Sequence, residues 1–252
     1  ILLTPGLVQD IRLELQAVTK STNFAGPELI TTYRHKNIFK GGEVLSFSSS
    51  ISYERQLGRN LAGDLSSSQF KLNTRLTFPR LLSPWRFNFS EAYSVPRTRI
   101  NLGYTFQDRS QYFKLNSFDA QFTYFWNTSR HTYWEFTPAS LIYTQVNNTT
   151  PLFDDILDQN PFLQRNFEDQ LIPAITYTFR FNELNDVARN HQFYTSYTLG
   201  LGGLLIGGIH ALANAENELM GLPYSQYIKN DVDFRYYFEV SETHTWANRF
   251  FV

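Results

Sequence analysis

The chain has 252 residues, a formal net charge of −1 and no cysteine. That balance gives a nucleic-acid partner no electrostatic support, and the missing thiols exclude a disulfide scaffold and Cys-ligated zinc. No stretch is apolar for long enough to be a membrane helix, yet 17 % of the residues are aromatic, with 23 Phe, 15 Tyr and 4 Trp.

Eleven segments alternate polar and apolar residues, the signature of strands with one oily and one wet wall. The first strand is predicted over Gln9–Thr19, with Ile11, Leu13, Leu15 and Ala17 opposite Arg12, Glu14 and Gln16. A connection at Lys20–Pro27 leads to the second, Glu28–Asn37, and a glycine turn (Phe39-Lys40-Gly41-Gly42-Glu43) returns the chain. The third, Val44–Gln56, sets Leu45, Phe47, Ile51 and Tyr53 against four serines and Glu54. The fourth, Gln69–Phe78, stops at Pro79, which cannot donate to a ladder.

An irregular segment, Arg80–Arg97, precedes the clearest pattern, Arg99–Gln107, where every even position is apolar and every odd one polar or glycine. Ser117–Asn127, His131–Val146, Leu171–Asn182, Gln192–Leu204 and Gln226–Val240 follow, and an eleventh strand begins at His244. Two connections are long, Asn147–Gln170 and Leu205–Ser225, the second with a helix-like centre at Ala211–Leu219. Three are short, Ile38–Glu43, Thr128–Arg130 and Ser241–Thr243.

These features predict an all-β fold, an antiparallel transmembrane β-barrel in a bacterial outer membrane, with lipid and lipopolysaccharide outside and a polar lumen. A mean hydropathy of −0.33 fits strands of which half the residues face water. Aromatic girdles at the two interfaces account for the Phe, Tyr and Trp content. The loop lengths put the short turns, and the start of the first strand, in the periplasm, with Arg80–Arg97 the exception. Single-chain barrels close with an even number of strands, so more are expected after Val252. The opening Ile1-Leu2-Leu3-Thr4-Pro5, with Met220 the only methionine, likewise predicts that 1–252 is a partial barrel domain cut from a longer protein.

Chemistry-bearing residues read mostly as surface or lining. The five histidines (His35, His131, His191, His210, His244) show no pair at metal-ligand spacing. Asp154, Asp155 and Asp158 lack a Gly-centred calcium pattern and read as a solvated acidic loop. Gly200, Gly202, Gly203, Gly207 and Gly208 lack the Lys-Ser/Thr of a phosphate cradle and read as close packing or strand bending. No catalytic set, metal or cofactor is implied. Lys229, Asp231, Asp233, Arg235 and Glu239 share one face, and facing lipid each basic residue would cost about 2–4 kcal/mol at the midplane. They are therefore expected in the lumen with Arg12, Glu14, Arg34, Lys36, Lys71, Arg75, Arg99, Arg180 and Arg249, as an ion-paired lining of mixed sign.

Several segments resemble one family. Tyr33-Arg34-His35-Lys36-Asn37-Ile38-Phe39-Lys40-Gly41-Gly42-Glu43 is similar to the "N-[LI]-F-x-G-x-E" turn between the second and third barrel strands of BamA/TamA-type proteins, carried by Asn37, Phe39, Gly41, Gly42 and Glu43. Leu76-Thr77-Phe78-Pro79-Arg80 resembles the "F-P-R" end of their fourth strand, and Thr245-Trp246-Ala247-Asn248-Arg249 the "A-x-R" strand before the sixth extracellular loop. The tyrosine-rich middle, with Asn160-Pro161-Phe162 and Phe167-Glu168-Asp169-Gln170, looks most like the Bacteroidota branch, including the lipoprotein TamL.

The resemblance implies a sixteen-stranded barrel of which about eleven strands are present, with POTRA domains upstream and closing strands downstream. It implies a non-enzymatic role in protein insertion or translocation through a lateral seam beside the first strand, Gln9-Asp10-Ile11-Arg12-Leu13-Glu14-Leu15-Gln16. Implied partners are client outer-membrane proteins, and a periplasm-spanning TamB-like protein or accessory lipoproteins. A passive porin or transporter is the alternative, and an outer-membrane hydrolase a more distant one.

Overall fold

The computed structural model describes residues 6–21, 23–57, 65–84, 93–160, 164, 167–184, 190–213, 218–219, 221–241 and 243–252. It is an antiparallel all-β structure. One eleven-stranded sheet contains β1 (Gln9–Thr19), β2 (Phe24–Lys36), β3 (Val44–Gln56), β4 (Ser66–Phe78), β5 (Arg97–Arg109), β6 (Phe113–Asn127) and β7 (Thr132–Asn147). After helix α1 (Pro151–Asp158) it continues with β8 (Gln170–Asn182) and β9 (His191–Gly202). Helix α2 (Leu204–Ala213) and a two-residue-per-strand hairpin, β10 (Glu218–Leu219) with β11 (Leu222–Pro223), precede β12 (Tyr227–Ser241) and β13 (His244–Phe251). Within the sheet the strands follow chain order, and β1 and β13 each have one neighbour. No described helix is long and apolar enough to cross a membrane.

The chain forms two compact units. The first comprises Ile1–Thr77, Asn101–Ala120 and Ile142–Leu171. Its registers align the faces expected from the alternation. One row runs Leu15, Leu29, Ile51, Phe70, and the next row over on the other face runs Gln16, Glu28, Ser52, Gln69. The β2–β3 ladder lapses at Gly26 and Pro27, between the Ala25–Arg55 and Glu28–Ser52 pairs. Pro27 has no N–H to give, and the turn signal it carries hid the fact that β2 begins at Phe24, not at Glu28. The buried cluster of this unit is Phe113, Phe153 and Leu157, with Tyr112, Leu115, Val146 and Phe167 packed on it.

Phe153 and Leu157 come from α1, a helix inside the long connection that the strand pattern did not reveal. Its start is nonetheless written locally. Thr150 accepts from Phe153 N–H through its side chain at 3.3 Å, and Pro151 occupies the first turn, where its missing donor costs nothing.

The second unit comprises Phe78–Ile100, Gln121–Leu141 and Ile172–Val252. Here an apolar row runs Phe181, Thr195, Phe234, Phe250, and a polar row Arg180, Ser196, Asp233, Phe251. The strand predicted to Leu204 stops at Gly202, and the helix predicted at Ala211–Leu219 lies earlier, at Leu204–Ala213. Gly203 makes the corner at φ +60°, donating its N–H to the Pro173 carbonyl at 2.7 Å. Residues 214–217 of that expectation lie outside the described residues, as do residues 161 and 162 of the Asn-Pro-Phe segment.

The irregular segment Arg80–Arg97 is described only at its ends; residues 85–92 lie outside the described residues. Thr98, fully buried at 0 % exposure, ties down the first end. Its hydroxyl donates to the Arg80 carbonyl (3.1 Å) and accepts from Leu82 N–H (2.8 Å), while the Tyr124 hydroxyl donates to the Leu82 carbonyl (2.8 Å). At the other end Ser94 N–H donates to the Asn127 carbonyl and Arg130 Nε to the Tyr93 hydroxyl.

Replacing the Thr98 hydroxyl by a methyl leaves a donor and an acceptor unmatched with almost no change of volume. Thr98→Val is expected to lower stability by about 1–3 kcal/mol in urea unfolding followed by tryptophan fluorescence, more than Tyr124→Phe, which removes one bond worth about 1 kcal/mol.

Candidate functional site

Three residue sets singled out by the sequence can be placed: the β1 edge, the glycine turn and the charged face.

Along β1 the pairing to β2 runs from Gln9–His35 to Thr19–Ala25. The hydrogen bonds at the two ends fix which groups are used. Lys36 N–H donates to the Val8 carbonyl at 2.7 Å and Lys20 N–H to the Phe24 carbonyl at 2.8 Å. In an antiparallel ladder, bonded positions alternate, so Asp10, Arg12, Glu14, Gln16 and Val18 turn their backbone groups toward β2. Gln9, Ile11, Leu13, Leu15 and Ala17 turn theirs to the open edge. Four of these five carry aliphatic side chains, of which Ile11, Leu13 and Leu15 are 75 %, 69 % and 78 % exposed. On the other face Arg12 pairs with Glu14 at 2.9 Å, and Gln16 donates to Glu28 at 3.0 Å.

The glycine turn is a self-closing structure. The Glu43 carbonyl accepts from Asn37 N–H (2.6 Å) and Ile38 N–H (3.2 Å). The Asn37 side chain accepts from Gly42 N–H (2.7 Å), and the buried Glu43 carboxylate from Gly41 N–H (2.9 Å). Three residues are left-handed, Asn37 (φ 70°), Lys40 (65°) and Gly42 (84°), which explains an Asn and a Gly at two of them. Phe39 is exposed.

The predicted charges fall on the polar rows, and many of them have a side-chain neighbour. Asp233 sits between two guanidiniums, Arg235 at 2.6 Å and Arg249 at 3.1 Å, whose own positions are cross-strand partners. Arg235 stacks over Tyr194 at 4.8 Å, and Arg249 over Phe251 at 5.3 Å. Asp231 pairs with Lys229 at 2.9 Å. Arg99 lies 3.5 Å from Glu135 and 4.4 Å above the Phe125 ring. Arg180 lies over Tyr133, whose hydroxyl donates to Glu135. Arg75, in the first unit, donates to the Asn101 side chain at 3.1 Å.

Glu135 and Tyr133, which stand in clean alternation with Trp134 and Phe136, were not singled out from sequence. Thr123 meets Thr137 on the polar face, but Ser117 meets Thr144, so the parity of β7 slips by one between them. Among the described residues no three His, Asp or Glu side chains are grouped to hold a metal ion. The chain matches no protein-family model, no curated protein and no solved structure.

Two outcomes test this geometry. Gly42→Ala forces a left-handed non-glycine residue and is expected to cost about 1–2 kcal/mol, whereas Phe39→Ser, on the exposed side, stays within about 0.5 kcal/mol. Asp233→Asn leaves Arg235 and Arg249 facing each other uncompensated. Hydrogen exchange of the β13 amides is expected to speed up, and Arg249→Met added to it to slow exchange back toward the parent.

Proposed function

We propose that this chain is eleven strands of an outer-membrane barrel of the BamA/TamA type, which inserts or translocates client proteins at the edge of β1. The observation that carries the reading is the register of β1, in which the backbone groups turned away from β2 belong to the residues with exposed aliphatic side chains. An edge of that kind in water is an aggregation site. In hydrocarbon its side chains are satisfied, but each unpaired N–H or C=O costs several kcal/mol. The edge then captures a strand, because only another backbone satisfies it.

Capture is β-augmentation: main-chain bonds supply the affinity, so many client sequences are accepted. Ion-paired charges on the polar rows keep the other face wettable without a single-sign field. The order of segments resembling the BamA/TamA barrel points the same way, with client outer-membrane proteins as the partners and the bacterial outer membrane as the location. A passive porin needs an unobstructed conducting lumen.

The edge assignment gives a sharp test. Leu13→Pro removes a donor that faces outward and leaves the β1–β2 ladder whole; Glu14→Pro removes one used by β2. A photo-crosslinking residue at Ile11 in cells should yield adducts with nascent outer-membrane proteins, and one at Leu102 should not. Adding Leu13→Pro should cut the Ile11 adducts about tenfold, the worth of one hydrogen bond. Equal adducts at both sites, or none at Ile11 in a chain that conducts ions in planar bilayers, would favour the porin reading.

A further inference from the structure

Within the first unit a cavity of about 370 Å³ opens between α1 and the ends of β2, β3 and β5. Phe24, Tyr112, Phe153 and Ile156 give it apolar walls, and Arg109 and Gln56 supply its polar atoms. Gln56 and Phe24 are cross-strand partners. Arg109, Gln56 and Phe24 share the parity of the polar rows, so the cavity lies on the polar side of the sheet, at the end where the long β7–β8 connection folds back.

Among the described residues of the lining, Arg109 is the only charged one. Its guanidinium lies 5.0 Å from the Phe24 ring centre and 5.7 Å from that of Tyr112. Stacking of this kind holds the planar group by its faces. The Nε atom of Arg109 and the Oε1 atom of Gln56 are both buried with no hydrogen-bond partner. Acids near in sequence are committed elsewhere: Asp108 to Lys114 at 3.0 Å, and Glu54 to Lys20 at 2.7 Å. The aspartates of α1, Asp154, Asp155 and Asp158, lie on its exposed side.

A stacked cation with an unpartnered Nε, and no carboxylate among the described lining residues, describe one kind of ligand. We propose that this cavity binds a small amphipathic carboxylate, with its apolar body against Phe24, Phe153 and Ile156 and its carboxylate on the Arg109 fork. A guanidinium donates two parallel bonds to a carboxylate, which a point charge does not reproduce. Gln56 meets the carboxylate only through its Nε2 donors, because its Oε1 atom is, like the ligand's oxygens, an acceptor. The volume suits a body of one or two rings. This site is separate from the β1 edge and does not depend on the function proposed for it.

The probe is 2-naphthoate, titrated against the full chain in a neutral detergent by fluorescence, with 2-naphthalenemethanol as the uncharged control. Saturable one-to-one binding is expected, about tenfold or more tighter than the alcohol. Arg109→Leu should remove that difference, and Arg109→Lys restore only part of it. Ile156→Trp, on the exposed helix, should abolish binding by filling the cavity, while Arg75→Leu, on the same face in another row, leaves it unchanged. Non-saturable partitioning, equal affinity for the alcohol, or naphthoate binding indifferent to Ile156→Trp in a folded variant would overturn the proposal. The comparison of the two probes on the parent chain decides it even if a variant fails to fold.

Discussion

The structure depends on the strict two-residue period of its strands. Because successive side chains point to opposite faces, a pairing register either gathers every oily residue on one wall or scatters them over both. Here the registers gather them: Ile11, Tyr33, Phe47 form one row and Phe181, Phe234, Phe250 another. Ile11, Ile51, Leu102, Phe118, Ile228 and Phe250 stay exposed, on faces that no described element covers to the point of burial. A wall of that extent on a water-soluble protein would be a liability. On the proposed reading lipid covers it, and the rest of the design follows from that choice of solvent.

The polar wall obeys the complementary rule, that a charge taken out of bulk water needs a partner close by. Asp233 serves Arg235 and Arg249, Glu135 serves Arg99, and aromatic rings receive Arg180 and Arg235. Arg109 departs from this rule, with two rings but no hydrogen bond to its Nε. The sheet edges are the other departure, since backbone groups there have only one side satisfied. The two departures are where binding is proposed, small carboxylates at one and incoming strands at the other.

Most of the sheet was legible from alternation, because in a two-faced strand the solvent preference of each residue is written at its own position. What failed has local causes. Pro27 read as a connection although the chain passes through it extended, the ladder lapsing there instead. Gly203 ended β9 two residues early by taking a left-handed φ, which polarity cannot register. Glu135 and Tyr133 gain their meaning from Arg99 and Arg180 on other strands, and α1 was masked by a loop whose helix depends on tertiary contacts with Phe113. Arg109 was invisible as a site because its sequence neighbours say only that it ends a strand; its significance comes from Phe24 and Tyr112, brought to it by pairing and by a turn. The β1 residues were legible as a strand, but which of them hold free backbone groups required the end bonds at Val8 and Lys20.

The most direct measurement places nitroxide labels singly at residues 47 to 52 of β3, in liposomes, and compares collisions with oxygen and with a water-soluble nickel complex. If the oily wall meets lipid, oxygen accessibility peaks at Phe47, Ser49 and Ile51, and nickel accessibility at Ser48, Ser50 and Ser52. Ser49 is the discriminating position, a polar residue that register alone assigns to the oily wall. Nickel reaching all six labels equally, or no two-residue period in either signal, would contradict the membrane reading at its root.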